Sequence, residues 1–317
     1  MDLISDMLRV LDLQGGFFFR TEFHPPWGVR IPAHPDAVRV HLVTRGEVWF
    51  DDNTGADAIL LRCGDCAIIP HGRPHLLLSE VGTDFFCLNN VIERSGFDDR
   101  RVLVHGVEDG GQPTNLIIGQ LSFGAGAGPL LFDGLPSSHV VRASEELDLG
   151  WIENAVALLD ASRSQKRLLG AEALAARVAE IFFIQFLRSQ TNGGAVRKGP
   201  LAAISDAYLR RALLAFHKAP GNDWTVESLA REAGLSRTAF ASRFSEVVAM
   251  SPMHYVLIWR MSLSRRLLLD GVESVATIAE KAGYRSLSAF TRAFTDHFGA
   301  PPSQYAARNA NSAKIDG

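Results

Sequence analysis

The last third of the chain contains one sequence unit twice, and this duplication constrains the fold more than any other feature. Residues 225–235 are similar to residues 274–284, and residues 236–255 are similar to residues 286–305. Each copy predicts a short helix, a turn that contains glycine, and a second amphipathic helix, which is the pattern of a helix-turn-helix. The second helix of such a motif can enter the major groove of DNA. Nine residue pairs are identical between the copies: Val226/Val275, Ala230/Ala279, Ala233/Ala282, Gly234/Gly283, Ala239/Ala289, Phe240/Phe290, Phe244/Phe294, Pro252/Pro302 and Tyr255/Tyr305.

Local chemistry explains the pattern. Gly234 can take the left-handed conformation that ends a helix, because it has no Cβ atom. Ser236 is a favourable N-cap for the helix that follows, and Phe240 and Phe244 lie four residues apart on its buried face. The residues of the second copy that correspond to Ser236, Phe240 and Phe244 are Ser286, Phe290 and Phe294. The alternative interpretation of the repeat is a helical hairpin with no role in DNA binding.

These residues resemble a known family. Residues 276–294, followed by residues 298–305, are similar along their whole length to the signature of the AraC/XylS family of bacterial transcriptional regulators, and residues 224–255 fit as well. The resemblance implies that residues 203–310 form a DNA-binding domain with two helix-turn-helix units. It also implies that one long helix over residues 253–269 joins the units and holds both recognition helices in successive major grooves of one DNA face.

Residues predicted to contact DNA lie opposite the buried phenylalanines. Arg292 is expected to contact a base edge, because a guanidinium can bind guanine through two hydrogen bonds. Arg237 and Arg243 are expected to meet phosphates, unless they are simply solvated surface side chains. The first recognition helix carries short side chains, so its specificity is expected to depend on methyl contacts and DNA shape. The predicted set is Arg237, Thr238, Ala241, Ser242, Arg243, Leu287, Ser288, Thr291 and Arg292.

Charge and composition agree with this interpretation. Residues 201–317 contain 14 Lys and Arg against 10 Asp and Glu, whereas the rest of the chain contains 18 against 25. A basic module joined to an acidic one suits DNA contact at one end of the protein. No apolar run is long enough for a membrane span, and the chain begins without a basic signal segment. Three cysteines form no disulfide framework, so we expect a cytoplasmic protein.

A linker and a helical segment precede the repeat. Gly, Pro and polar residues predict a linker at residues 193–202. Residues 141–192 are expected to form a helical dimerisation segment, with helices over 145–161 and 170–190. The second helix is apolar on much of its circumference, which favours a homodimer contact over a purely internal core. Its apolar residues are Leu174, Val178, Ile181, Phe182, Phe183, Phe186 and Leu187.

The first 130 residues predict β structure, so the chain as a whole is expected to be a multidomain α+β protein. Short apolar runs separated by turn residues are typical of a β-barrel or jelly roll. Residues 64–75 resemble the second conserved motif of cupins, with a Gly, a Pro six residues later, then Gly and His; Ser79 stands where the family has asparagine. The resemblance implies a cupin-like sensor domain over residues 1–140.

The sequence leaves both alternatives for this domain, with and without a bound metal ion. His75 matches a metal-ligating position of enzymatic cupins, but Arg39 occupies the glutamate position of their first motif, and Ala33 and Pro35 occupy its histidine positions. An incomplete set of ligands argues against zinc, which takes three or four nitrogen or sulfur ligands. Zinc or another divalent metal remains a candidate cofactor only through His41, His71 and His75.

The cysteines of this domain are candidates for redox chemistry or metal binding. Cys63 and Cys66 flank a Gly-Asp turn, so they are candidates for a redox couple or for thiolate ligands. The alternative is a small core residue at position 66 and a turn-flanking residue at position 63. Cys87 is expected to lie in the core.

These features predict a homodimeric, DNA-binding transcriptional regulator that is not an enzyme, with activation favoured over repression. A small-molecule or redox signal would be sensed in the cupin domain. Expected partners are operator DNA, a small-molecule effector and, for an activator, RNA polymerase, but no membrane. The alternatives are a metal-dependent cupin enzyme fused to a DNA-binding domain and a constitutive DNA-binding protein with a barrel scaffold. Candidate ligand-binding residues are Trp27, Arg39, His41, Trp49, His71 and His75.

Overall fold

The computed structural model describes most of the chain as two compact units. One, the sheet unit, comprises residues 14–122 and 136–189, and the other, the helical unit, comprises residues 1–13, 123–135 and 190–317. The described residues are 2–11, 14–34, 37–97, 102–107, 111–123, 128–143, 171–191 and 196–312.

Eleven strands and two helices of the described residues build the sheet unit. The strands are β1 (Gln14–His24), β2 (Gly28–Ile31), β3 (Ala37–Arg45), β4 (Glu47–Asp51), β5 (Ile59–Arg62), β6 (Cys66–Ile69), β7 (His75–Leu78), β8 (Phe86–Cys87), β9 (Leu103–Gly106), β10 (Thr114–Ser122) and β11 (His139–Val141). A short helix, α2, spans Leu88–Ser95, and α3 spans Ala171–Thr191. One sheet has the order β11-β6-β3-β10-β1-β9, and the other has the order β5-β4-β7-β2-β8.

The two sheets face each other and share one apolar core. The side chains of a strand alternate between its two faces, so every second residue of β3, β4 and β7 points into the space between the sheets. Val43 comes to this core from the six-stranded sheet, and Val48, Phe50 and Leu77 come from the five-stranded sheet. The predicted cupin-like β domain is thereby confirmed.

A closed barrel was also predicted, and that part is wrong for the described residues. The six-stranded sheet ends at β11 and β9, and the five-stranded sheet ends at β5 and β8, so both sheets have open edges. Two stacked sheets bury their inner faces as completely as a barrel does, and the alternation pattern of the sequence is the same for both.

Helix α3 covers the outer face of the six-stranded sheet. Val178, Ala179 and Phe182 line a small apolar cavity together with side chains of β1, β3 and β10. This packing explains why β3 is buried on both faces. The opposite face of α3 exposes Ile181 and Ile184, which are 41% and 36% accessible. The other predicted helix of this segment, over 145–161, lies outside the described residues.

The helical unit is built around a long helix, α8 (Pro252–Asp270), with the sequence repeat on either side of it. Helix α1 (Leu3–Leu11) packs against α8, and Arg266 donates from Nη1 to the carbonyl oxygen of Arg9 at 2.9 Å. None of the described helices is both long and apolar enough to cross a membrane. The other described helices of this unit are α4 (Ala202–Ser205), α5 (Ala207–Lys218), α6 (Val226–Ala233), α7 (Arg237–Val248), α9 (Val275–Lys281), α10 (Leu287–Phe298) and α11 (Pro302–Ser312).

Candidate nucleic-acid interface and sensor interior

The first repeat forms the helix pair α6 and α7. Thr225 and Ser228 make a reciprocal capping box at the start of α6, and Gly234 ends that helix with φ +71°. Ser236 then accepts a hydrogen bond from the backbone N–H of Ala239 at 3.2 Å, which starts α7 one residue later. The end of α6 and the start of α7 are therefore both capped by residues of the turn itself.

The second repeat forms the pair α9 and α10 in the same way. Ser274 caps α9, and Ser286 caps α10 by accepting from the backbone N–H of Ala289 at 3.3 Å. Gly283 lies in the turn with φ +80°. The repeat in the sequence is therefore a repeat of helix caps and turn conformation.

Each second helix buries its phenylalanine pair. The rings of Phe240 and Phe244 are 5.5 Å apart, and those of Phe290 and Phe294 are 5.7 Å apart. All four side chains are almost completely buried. They hold one face of α7 and of α10 against the unit and leave the opposite face to solvent.

The residues predicted to contact DNA lie on these solvent faces. Leu287 is 49% accessible, an unusual exposure for a leucine at the first turn of a helix. Ala241 and Thr291 are partly buried at the border of the face. The exposed members of the set are Arg237, Thr238, Ser242, Arg243, Leu287, Ser288 and Arg292.

Arg243 differs from the other arginines of the set, because its side chain is already engaged. Its Nε donates to Oδ2 of Asp206 at 2.7 Å, and its guanidinium lies 5.2 Å from the ring centroid of Tyr208. The other carboxylate oxygen of Asp206 caps α5 by accepting from the backbone N–H groups of Tyr208 and Leu209. Arg243 therefore fastens α7 to the start of α5.

Sequence reasoning missed one basic residue next to this surface. Arg285 directly precedes the N-cap of α10 and pairs with Asp223, which precedes α6. Both side chains are well exposed, at 85% and 69%. The signal in the sequence was the position of Arg285, immediately before the capping serine of the second recognition helix.

In the sheet unit, two histidines meet between the sheets. His41 of β3 and His75 of β7 have no accessible surface, and their Nε2 atoms lie 2.6 Å apart. Nδ1 of His75 is 2.8 Å from the carbonyl oxygen of Arg73, whereas Nδ1 of His41 is buried and has no hydrogen-bond partner within the described ranges. Burial lowers the pKa of both imidazoles, that of His75 to about 4, so both are neutral near pH 7.

Arg39 lies two residues before His41 on the same face of β3. Its Nη1 donates to Oε1 of Gln120 on the neighbouring strand β10 at 2.8 Å. Its Nε atom is buried with no hydrogen-bond acceptor from the described chain, and burial lowers the pKa of the guanidinium. Among the described residues no carboxylate is paired with Arg39.

The other candidate ligand-binding residues are not gathered here. Trp27 is buried against Phe23, with ring centroids 4.8 Å apart, and its backbone N–H donates to Ser79, beyond the far end of β7 from His75. Trp49 lies on the opposite face of β4 from the core residues Val48 and Phe50. His71 is partly buried in the turn between β6 and β7.

In the described arrangement, His41 and His75 do not fit a tetrahedral zinc ion. Within the described ranges no group of three His, Cys, Asp or Glu side chains is arranged to hold an ion. Tetrahedral zinc with bonds of about 2.0–2.1 Å would keep two imidazole nitrogens roughly 3.3 Å apart. The His41 and His75 nitrogens are at 2.6 Å, which is the distance of a direct hydrogen bond.

The cysteines occupy different environments. Cys63 is exposed and donates from Sγ to the carbonyl oxygen of Thr44 at 3.1 Å. Cys66 is completely buried, and burial raises the pKa of its thiol well above the ordinary value. Because the thiolate is the reactive form, Cys66 is a poor nucleophile in this conformation. Cys87 is partly buried in β8.

Comparisons with known proteins agree with the arrangement of the two units. A family profile described as a cupin matches residues 2–192, and one described as a helix-turn-helix domain matches residues 229–308. The fold and the exposed second helices define a helix-turn-helix DNA-binding protein that carries a cupin-like domain.

Whole-chain relatives give the family. A putative AraC-like transcription regulator of Streptomyces lividans is 30% identical over 313 residues, covering 96% of this chain and 98% of the relative. The transcriptional regulator AlkR of Acinetobacter baylyi is 27% identical over 307 residues, covering 96% and 99%. RclR of Escherichia coli, an RCS-specific transcriptional activator, is 24% identical over 309 residues, covering 97% and 98%. The chain belongs to the AraC family of transcriptional regulators, as its signature residues predicted.

Proposed function

We propose that this regulator binds operator DNA as a homodimer by inserting α7 and α10 into two successive major grooves. The observation that carries the proposal is that one unit presents two capped helices, each with its phenylalanines buried and its polar face exposed. Helix α8 joins the pairs and has 19 residues, or about 28 Å at 1.5 Å per residue. That length suits recognition helices about one turn of DNA apart.

Individual side chains suit different parts of the duplex. Arg292, exposed on α10, is assigned to a base edge, and Leu287 to the methyl group of a thymine. Arg237 and Arg285 are assigned to phosphates. Arg243 is a positioning residue, since its ion pair with Asp206 holds α7 in place.

Selection of binding sites from random DNA by the purified full-length protein tests this function. On a selected site, Arg292→Gln is expected to cost about 1–3 kcal/mol and to relax one base position. Arg237→Gln is expected to weaken all sequences alike and to reduce the slope of log K against log salt by about 0.9, because one phosphate is no longer neutralised. Arg62→Gln is the matched control, because Arg62 is exposed in the sheet unit.

The outcomes separate clearly. Selection of no sequence by the wild-type protein, or equal effects of the Arg292, Arg237 and Arg62 substitutions, would overturn the proposal.

A homodimer contact through α3 is part of the proposal. The exposed face of α3 places Ile181 and Ile184 between the Arg177–Glu180 ion pair and Arg188. Two such faces related by a two-fold axis would bury four isoleucines inside a polar rim. Ile181→Asp with Ile184→Asp is expected to give monomers in sedimentation, whereas Arg188→Gln should leave dimers intact. Dimers that persist in the double variant would exclude this face.

Control by a small molecule is the last part. An effector bound in the sheet unit would favour one arrangement of the dimer, provided that it binds the two arrangements with different affinity. The favoured outcome is activation, through contact between DNA-bound dimers and RNA polymerase. A small molecule is preferred to a redox signal, because Cys66 is buried and its thiolate is disfavoured. A reporter gene is placed behind a selected site, once with promoter elements for RNA polymerase within reach of the bound dimer and once without them. Comparing expression from the two reporters distinguishes activation from repression.

A further inference from the structure

Among the described residues, no carboxylate is paired with the Arg39 guanidinium between the two sheets. Arg39 is partly buried, and its described polar partner is the neutral amide of Gln120, at 2.8 Å. Its Nε–H is buried and has no acceptor in the part of the chain that the structure describes. A buried donor left unsatisfied is destabilising, and more so when the group is charged. An anion supplied from outside the chain would pair with the charge of Arg39 and accept the hydrogen bond of its Nε–H.

Beside it lies an unsatisfied acceptor. A carbonyl oxygen only accepts, so Nδ1 of His75 carries a proton and donates it to Arg73. One proton lies in the 2.6 Å contact between the two Nε2 atoms, and in the neutral pair it belongs to His41. Nδ1 of His41 then carries a lone pair that is buried and receives no hydrogen bond from the described residues.

Both groups lie on one face of one strand. Residues 39 and 41 of β3 are two apart, so their Cα atoms are about 6.5–7 Å from each other and their side chains point the same way. Phe50 forms an apolar wall, with its ring centroid 5.7 Å from that of His75. The site therefore offers a cationic donor next to a neutral acceptor against apolar surroundings, which is the usual composition of a small-molecule site.

We propose that the effector of this regulator is a small hydroxy-carboxylate, whose carboxylate accepts from Arg39 and whose neighbouring hydroxyl donates to Nδ1 of His41. The inference rests on the proposed control by a small molecule and names its chemical class. A plain carboxylate satisfies the arginine but leaves the histidine unpaired, and a neutral diol does the reverse. The site therefore distinguishes these three classes of ligand by whether they satisfy Nε of Arg39, Nδ1 of His41 or both.

Calorimetric titration of the full-length protein tests the ligand class. The probes are lactate and malate, their counterparts propionate and succinate without the hydroxyl, and 1,2-propanediol without the charge. A hydroxy acid is expected to bind at least tenfold more tightly than its counterpart, and the diol is expected not to bind.

Two substitutions test the assignment of the residues. Arg39→Gln removes the cation and is expected to abolish binding of the hydroxy acids. Gln120→Glu places a carboxylate beside Arg39, so it is expected to raise the melting temperature and also to abolish binding. Because Gln120→Glu is expected to stabilise the fold, its loss of binding is not explained by unfolding. Arg62→Gln, on the exposed surface, is the control and should bind as the wild type does.

Several results would overturn the inference. These are no binding of any probe, equal affinities of the hydroxy acids and their counterparts, or unchanged binding in the Arg39 and Gln120 variants. Binding of the ligand-free proteins to a selected DNA site is measured in parallel. DNA binding that persists while every probe fails would refute the ligand class and leave the DNA-binding function standing.

Discussion

Replacing Gly283 by alanine perturbs the turn between α9 and α10, and Gly299→Ala is its matched control. Both glycines have left-handed backbone conformations, with φ +80° and +71°. A Cβ atom on Gly283 would lie 2.7 Å from the backbone oxygen of Gly221 and 2.7 Å from Nη2 of Arg260. A Cβ on Gly299 would have no described atom within 4 Å. The pair therefore separates backbone strain from steric conflict.

The expected magnitudes follow from these distances. Left-handed conformation costs an alanine roughly 1–2 kcal/mol, which is the whole expected effect of Gly299→Ala. Gly283→Ala adds an overpacking cost of about 1–3 kcal/mol, because the backbone at Gly221 has to move. Its total effect is therefore a destabilisation of about 2–5 kcal/mol. Since the turn sets the direction of α10, DNA affinity is expected to fall in the Gly283 variant as well.

Hydrogen exchange of the full-length proteins, followed by mass spectrometry on peptides of α8 and α10, measures both destabilisations in the unit concerned. DNA affinity is measured on the same samples. Equal decreases of protection in the two variants would refute the tight packing of the turn, and normal DNA affinity in the Gly283 variant would refute its role in aiming α10.

Three further predictions concern the helical unit. Asp223→Asn releases Arg285, so DNA affinity should rise and the salt slope should steepen by about 0.9; a fluorescence anisotropy titration at several salt concentrations in which the slope is unchanged would contradict the assignment. Burial lowers the pKa of His217 to about 3 from 6.5, so its stabilising contribution is complete above pH 6.5 and is lost as the pH falls toward 3. In urea unfolding, the free energy of unfolding of the wild type should fall by about 2 kcal/mol more between pH 7 and pH 5 than that of His217→Gln. An equal fall in the two proteins would contradict the prediction. Asp206→Ala removes a helix cap and an ion pair, so it should destabilise the unit by about 1–3 kcal/mol in the same assay, and Asp206→Asn, which keeps the cap, by less.

The DNA-binding unit could be predicted from the sequence because its determinants are local. Ser236 caps a helix whose buried pair, Phe240 and Phe244, follows within eight residues, and Gly234 ends the helix before it. Each of these signals depends on neighbours in the chain, and the second copy repeats them. Exposure of Arg237 and Arg292 followed directly from this periodicity.

Contacts between distant residues could not be predicted in this way. Arg39 and Gln120 are 81 residues apart, and Arg243 and Asp206 are 37 apart, so their pairing depends on strand register and helix packing. Trp49 was assigned to the pocket from its residue type, but the register of β4 turns it to the opposite face. Two stacked sheets and a closed barrel likewise share one alternation pattern, and only the pairing of the edge strands distinguishes them.

The division of the chain into two units limits which fragments of the protein can contain a complete unit. The polypeptide passes from one unit to the other four times, after residues 13, 122, 135 and 189. A fragment that begins at residue 196 lacks Met7, Leu130 and Leu131, all of which are completely buried in the intact chain. The sheet unit is thus interleaved with the helical unit along the chain, so no single continuous fragment contains the whole helical unit without the sheet unit.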